Sequence, residues 1–186
     1  QSMARNYNVK LPDSEVEEIR DAWRAAHPRI VGYWYDLERA AISAMKGKGP
    51  FAVGPAGRQV IYKKAGSFLW CKLPSGRVLC YPYPELRTVT TSWGEDKEAL
   101  TYMTVVSNPK AKIIEDPNSK GTWKRAATYG GSLAENNTQA VARDLLAESM
   151  FKLEAAGRPI VMLVHDENVM EVPEDASADE VKRLES

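Results

Sequence analysis

From Ser132 to Ala156 the chain runs without a glycine or proline. It then meets Gly157 and two short apolar runs that flank His165, Asp166 and Glu167. This stretch constrains the fold most. Ser132 followed three residues later by Glu135 is a capping-box pattern, and Gly157 suits a helix C-cap, so a long helix is predicted over 132–156. "PIVMLV" and "NVMEV" predict an antiparallel hairpin across about 160–172. Tight hairpin turns favour Gly or Asn, because they need positive φ. Here an imidazole and two acids occupy that place. Ionised carboxylates held together repel unless one protonates or a cation neutralises them. Asp166 beside Glu167 on a stiff hairpin therefore suits Mg²⁺, which takes one or two carboxylates and completes its shell with water and phosphate oxygens. The plain alternative is a hydrophilic turn.

Laid out at 100° per residue, the predicted helix has three faces. Ala142, Leu145, Leu146, Ser149 and Leu153 fall together and are expected to face a core. Asp144, Glu148 and Lys152 form a solvent face. Asn136, Gln139 and Arg143 form a third, with the small Ala140 and Ala147 beside them. Side-chain amides both donate and accept, as base edges in a minor groove require, and an arginine adds a phosphate or base partner. An ordinary wet helix face is the bland reading of the same pattern.

Upstream, the opening "QSM" resembles the remnant of an engineered tag, so residues 1–3 are set aside and Ala4 is expected to begin a fragment. Residues 4–50 read as a helical segment. Ser14 and Glu17 form another capping box, and Val16, Ile19 and Trp23 recur at helical spacing. Pro28 interrupts this helix at His27 and opens a second one, with Ile30, Trp34, Leu37, Ala41 and Ala44 on one stripe. Residues 51–128 read as β-rich. "RQVIYKK" is a strand, "SFLWCKL" and "RVLCYPY" form a hairpin around Pro74-Ser75-Gly76, and "ALTYMTVVS" and "TWKRAATYG" are further strands. "NPKAKIIEDPNSKG" between them is expected to be an exposed loop. Residues 129–186 hold the long helix, the hairpin and the start of one more helix in "SADEVKRLES". The expected class is α+β: an antiparallel sheet containing the hairpin, packed on the long helix, with the N-terminal helix pair as a smaller lobe.

Lys plus Arg balance Asp plus Glu, 25 against 25. That argues mildly against a free-standing nucleic-acid binder, without excluding a local basic groove. The two cysteines, Cys71 and Cys80, and two histidines match no zinc spacing. Buried free thiols in a reducing cytosol are preferred, with a cross-hairpin bridge as the alternative. No apolar run is long enough to span a bilayer.

"TQAVARDLLAESMFKLEAAGRPIVMLVHDENVMEVP" resembles the C-terminal palm of family A DNA polymerases, the group typified by bacterial DNA polymerase I. "AHPRIVGYWYDLERAA" is similar to the family's "YPxVxxY" helix beyond the fingers, and "LPSGRVLCYPYP" to its "T-x-x-G-R-R-x-x-P" segment. The likeness runs from about Ser14 to Glu180, and "YGGSLAENNTQAVARDLL" is most similar to phage and prophage members. The segment between Pro84 and Trp123 has no counterpart in the bacterial enzymes.

The resemblance implies DNA-directed DNA polymerisation with primer–template DNA and dNTPs as partners, in a bacterial or phage-infected cytosol, without a membrane. It implies that Asp166 is one of two Asp that bind catalytic Mg²⁺, that Glu167 assists the primer terminus or metal shell, and that His165 approaches the primer strand. Gln139 matches the helix Gln that contacts the minor groove of the new duplex. The family has Asn four residues before that Gln. Here Glu135 stands there and Asn136 follows, while the Arg eight before is Gly131. Lys124 or Arg125 is the expected substitute for that Arg.

The family's other catalytic Asp lies in a "D-x-S-x-x-E" strand, absent from this chain, as is the nucleotide-gripping fingers helix. Two-metal transfer needs carboxylates from both sites. The chain is therefore expected to be an inactive part of a polymerase, completed by the remaining palm, fingers and thumb, with exposed apolar surface that invites dimer contacts. A non-catalytic nucleic-acid-binding or scaffold module derived from the palm is the alternative. A metal-dependent nuclease would need further acids converging on Asp166, and a histidine–aspartate phosphohydrolase would need more His and Asp ligands than the chain has.

Overall fold

The structure is a computed structural model and describes residues 11–47, 49–91, 94–106 and 113–173. The tag-like start, the helix expected in "SADEVKRLES" and the start of the expected loop lie outside the described residues. The class is α+β, with every strand pair antiparallel. The chain divides into two units, Gln1–Asn137 and Thr138–Ser186.

In the first unit, α1 (Asp13–Ala26) and α2 (Pro28–Lys46) flank His27 as the His-Pro pair predicts. Proline cannot donate a helical N–H but tolerates the first turn. His27 closes α1 by donating its N–H to the Trp23 carbonyl at 3.0 Å. Ser14 is not the cap. The helix starts one residue earlier, with extended Pro12 as N-cap and no side-chain cap bond, because Val16 N–H already reaches the Pro12 carbonyl. The apolar residues of α1 are not buried among the described residues. Trp23 instead stacks on His27 and on Trp34, with centroids at 4.5 and 5.7 Å.

The core forms where α2 meets a four-stranded meander: β1 (Phe51–Val53), β2 (Val60–Ala65), β3 (Phe68–Lys72) and β4 (Val78–Pro82). Leu37, Ala40, Ala41 and Ala44 bury one helix face, while Val60, Tyr62, Leu69 and Cys71 supply the inner sheet face. Each fully buried Leu there contributes about 1.5–3 kcal/mol. Ile30, expected on the buried stripe, is 43% exposed, and Trp34 is half-buried; burial on α2 begins at Leu37. The expected hairpin around Pro74-Ser75-Gly76 is β3–β4, with Cys71 opposite Leu79 and Cys80 opposite Trp70. That one-residue offset sends the thiols to opposite faces, so no bridge forms: Cys71 is buried and Cys80 exposed.

A second sheet has the order β5-β6-β8-β7, from β5 (Glu85–Thr90), β6 (Asp96–Val105), β7 (Ile113–Ile114) and β8 (Trp123–Ala127). Tyr81 and Tyr102 join the two sheets edge to face at 5.0 Å, and Lys97 pairs with Glu38 of α2 at 2.9 Å. The expected exposed loop is corrected here. Ile113–Ile114 pair with Arg125 and Ala126, and the Asp116 side chain is 1% exposed. It accepts from Arg125 Nε at 2.6 Å, Arg87 Nη2 at 2.5 Å and the Asn118 N–H at 2.8 Å. The same sequence that reads as polar loop holds the counter-charge for a buried arginine.

The long helix α3 (Gly130–Ala155) begins two residues before the expected cap. Glu38 accepts the Gly130 N–H at 3.1 Å, so a carboxylate from α2 does the work expected of Ser132. Only glycine fits at 130, since a Cβ would lie 2.1 Å from the Trp34 carbonyl oxygen. The C-terminus follows expectation. Gly157 has φ 72°, its N–H reaches the Glu154 carbonyl, and Arg158 N–H reaches that of Leu153, both at 3.0 Å. This is a Schellman motif.

Candidate active-site hairpin and helix face

In the second unit, β9 (Ile160–Val164) and β10 (Glu167–Met170) pair with Val164 opposite Glu167. A two-residue turn of His165 and Asp166 therefore joins them. His165 has φ 54°, in the left-handed region. Two-residue hairpins need positive φ at the first turn position, and histidine enters that region more readily than most non-glycine residues. The backbone demand that glycine usually meets is met here by an imidazole, at a cost of about 1–3 kcal/mol for non-glycine residues in sparsely populated regions.

His165, Asp166 and Glu167 are all exposed. None makes an ion pair among the described residues. The hairpin is braced from its other end: Asn168 Nδ2 donates to Ser149 Oγ at 2.7 Å, and the Ile160 N–H to Glu154 Oε1 at 2.8 Å. Both partners stand on α3. The expected larger sheet around the hairpin is not seen, since β9 and β10 form a two-stranded sheet. Val161, Met162, Leu163 and Val164 of β9 are exposed by 54, 54, 42 and 42%. Consecutive residues point to opposite faces, so both faces of β9 are apolar and open.

The donor set fits magnesium in kind but not in number. Asp166 and Glu167 offer hard carboxylate oxygens, yet no group of three or more His, Cys, Asp or Glu among the described residues could hold a metal ion.

On α3, Gln139 and Arg143 are exposed. The expected buried stripe is only partly so: Ala142 and Leu145 are exposed, Leu145 by 63%, while Leu146, Ser149 and Leu153 are half-buried. Of the expected solvent face, Glu148 and Lys152 are exposed and pair at 2.8 Å, while Asp144 is half-buried.

The remaining candidates lie in the first unit. Asn136 is half-buried and donates from Nδ2 to Tyr81 Oη at 3.4 Å. Its amide is turned to the sheet. Lys124 is half-buried and lines an open cleft of about 660 Å³ with Asp116 and Ser119. Arg125 is corrected outright. It is 1% exposed, and Nε, Nη1 and Nη2 donate to Asp116, to Tyr83 O and Thr101 Oγ1, and to Glu85. It is a folding residue, with no side-chain surface to offer a phosphate.

Asn137 is the residue that sequence reasoning missed. It is 2% exposed, donates from Nδ2 to Tyr62 Oη at 3.2 Å and accepts from Cys71 Sγ at 3.3 Å. Burial raises the Cys71 thiol to about 11 and pushes the Tyr62 and Tyr81 phenols far above their usual range. The available signal was the doubled Asn136-Asn137, which puts one amide 100° around the helix from the other.

The chain is similar to a phage DNA polymerase. It is 42% identical over 166 residues to the protein named DNA polymerase of Bacillus phage SP02, which covers 89% of this chain and 23% of the relative. It thus spans about a quarter of the length of the curated relative it matches. No family model and no solved structure matches. Among the described residues no helix is long and apolar enough to cross a membrane.

Proposed function

We propose that this chain is the part of a family A, DNA polymerase I-like enzyme that carries one carboxylate of the metal site and one side of the primer–template cradle. The observation that carries the reading is the 42% identity to a phage DNA polymerase along 89% of the chain. The two-residue turn that holds His165 and Asp166 in the open, with exposed Glu167 starting the next strand, supports it. Template-dependent nucleotidyl transfer needs an ionised 3′-hydroxyl and a neutralised pyrophosphate leaving group, which bound Mg²⁺ supplies. Asp166 would hold that ion through a carboxylate oxygen, with the further ligands supplied from outside these residues. Glu167, beside it, would assist through water or at the primer terminus. His165, next along the turn, faces the primer strand. Gln139 and Arg143 touch the minor groove and backbone of the new duplex, where matched pairs present similar acceptors. Lys124 is the remaining candidate for a backbone contact.

A further carboxylate must come from outside these residues, because the described ones hold no cluster of three. The 186-residue chain by itself is therefore expected to give no template-dependent dNTP incorporation on a primed template, whereas the longer polypeptide extends the primer and stops on EDTA addition. Clear incorporation by the chain alone contradicts the reading.

A further inference from the structure

The first sheet has an outer face that the polymerase reading does not use. Between Phe51 and Pro84 the sequence contains Arg58, Lys63, Lys64, Lys72 and Arg77 and no Asp or Glu. The chain as a whole is neutral, so this sheet is a local positive region. Strand alternation divides its side chains. Leu69 and Cys71 point inward and are fully buried, which sends Phe68, Trp70 and Lys72 outward. Residues directly opposite in an antiparallel pair share a face. Lys63 lies opposite Trp70, and Ala65 opposite Phe68, so Lys63 is on that same outer face.

Three rings gather there. Phe68 and Trp70 have centroids 5.2 Å apart, and Phe68 and Tyr83 6.5 Å apart. Tyr83 is 55% exposed and is held with φ 46°. Its backbone is locked on both sides: its N–H donates to the Ser67 carbonyl at 2.7 Å, and its carbonyl accepts from Arg125 at 2.9 Å. A left-handed tyrosine pinned in place, with its ring at the surface, is an unusual use of conformational energy. Lys63 and Lys72 are exposed and make no ion pair among the described residues.

We propose that this outer sheet face is a platform for single-stranded DNA, on which Trp70, Phe68 and Tyr83 stack bases while Lys63 and Lys72 contact phosphates. An exposed tyrosine beside two half-buried rings, set among unpaired lysines on strands without acids, is complementary to a single strand, which presents base planes and phosphates together. A duplex hides its base planes, and an acidic protein partner would use the lysines but has no need of the ring cluster. The choice of DNA over RNA rests on the polymerase reading; the platform itself does not. No Mg²⁺ and no nucleotide takes part, so the site can be tested apart from catalysis.

The test is fluorescence anisotropy with the 186-residue chain, in EDTA and about 50 mM NaCl, using labelled dT20, rU20 and a mixed-sequence 20-bp DNA duplex. Binding to dT20 is expected to be at least as tight as to rU20 and tighter than to the duplex. Trp70→Ala is expected to weaken dT20 binding about fivefold or more. Because Trp70 is half-buried, the exposed double variant Lys63→Glu/Lys72→Glu is measured beside it, with circular dichroism confirming the fold. Loss of two phosphate contacts is expected to lower the slope of log K against log salt by about 1.4. No dT20 binding, tighter binding to duplex or rU20, or affinity unchanged in the lysine variant overturns the proposal. Binding of an apolar protein segment that is indifferent to the lysine variant, with no dT20 binding, would assign the face to a protein partner instead.

Discussion

Replacing Arg125 with Met tests whether the second sheet is held by its buried charges. Arg125 and Asp116 are each 1% exposed and meet at 2.6 Å. Removing one partner of a buried pair typically costs about 3–5 kcal/mol, because the other charge stays buried. Here Arg87 Nη2 at 2.5 Å and the Asn118 N–H at 2.8 Å remain on Asp116, so the low end applies. The Tyr83 carbonyl also loses its donor, but Tyr83 is 55% exposed and water can take the place of that bond. A loss of about 3 kcal/mol is a large share of a net stability of about 5–15 kcal/mol. With a urea dependence of about 1–3 kcal/mol per molar, the midpoint falls by about 1–3 M. Urea titration followed by far-UV circular dichroism reads this directly. Arg87→Met should cost less, about 1 kcal/mol, since Arg87 is 29% exposed and water can replace it. A midpoint for Arg125→Met within about 0.3 M of wild type would refute the reasoning.

Two glycines should respond in opposite senses. Gly130→Ala drives a Cβ into the Trp34 carbonyl and should destabilise by about 1–3 kcal/mol, whereas Gly32→Ala meets nothing within 4 Å inside α2 and should stabilise by about 0.5–1 kcal/mol; thermal melts compare them. The Asp116 carboxyl is held at about 2, first by the hydrogen bond from Arg125 and then by that from the Asn118 N–H. Its stabilisation is complete above the ordinary Asp value of about 3.9 and is lost as pH falls toward about 2, so urea midpoints should fall over that window and fall less in Asp116→Asn. With a thiol reagent at pH 8, exposed Cys80 should react at once and buried Cys71, raised to about 11, only on unfolding; fast reaction of both would contradict the packing.

Periodicity and punctuation made much of this fold legible. The His27-Pro28 break, the Pro74-Ser75-Gly76 hairpin and the Gly157 cap depend on local backbone chemistry, and local chemistry is what a sequence records. Both capping boxes misplaced their helix starts, at α1 because the local Pro12 carbonyl opens the helix with no side-chain cap, and at α3 because the partner came from elsewhere. At α3 it is Glu38, far away along the chain. Asp116 and Arg125 were misread for the same reason: a charge in a polar run looks solvated until tertiary structure supplies its opposite. The turn at His165-Asp166 was legible as a question, since charged residues stood where glycine belongs. That Asn137 rather than Asn136 is buried depended on helix phase relative to a sheet that the sequence does not locate. The hairpin reads as part of a larger sheet packed on the long helix, whereas among the described residues β9 pairs with β10 alone and its apolar side chains are open.

The central claim is that the β9–β10 turn exists to present a carboxylate to magnesium rather than to stabilise the chain. The most direct measurement is single-turnover primer extension by the longer polypeptide carrying Asp166→Ala, with its melting temperature measured alongside. Because Asp166 is exposed on a turn, we expect melting within about 2 °C of wild type, as for surface substitutions of about 0.5 kcal/mol. Extension should fall at least about a thousandfold, as when a group supplying several kcal/mol of transition-state stabilisation is removed. Normal extension by a folded Asp166→Ala enzyme would contradict the account.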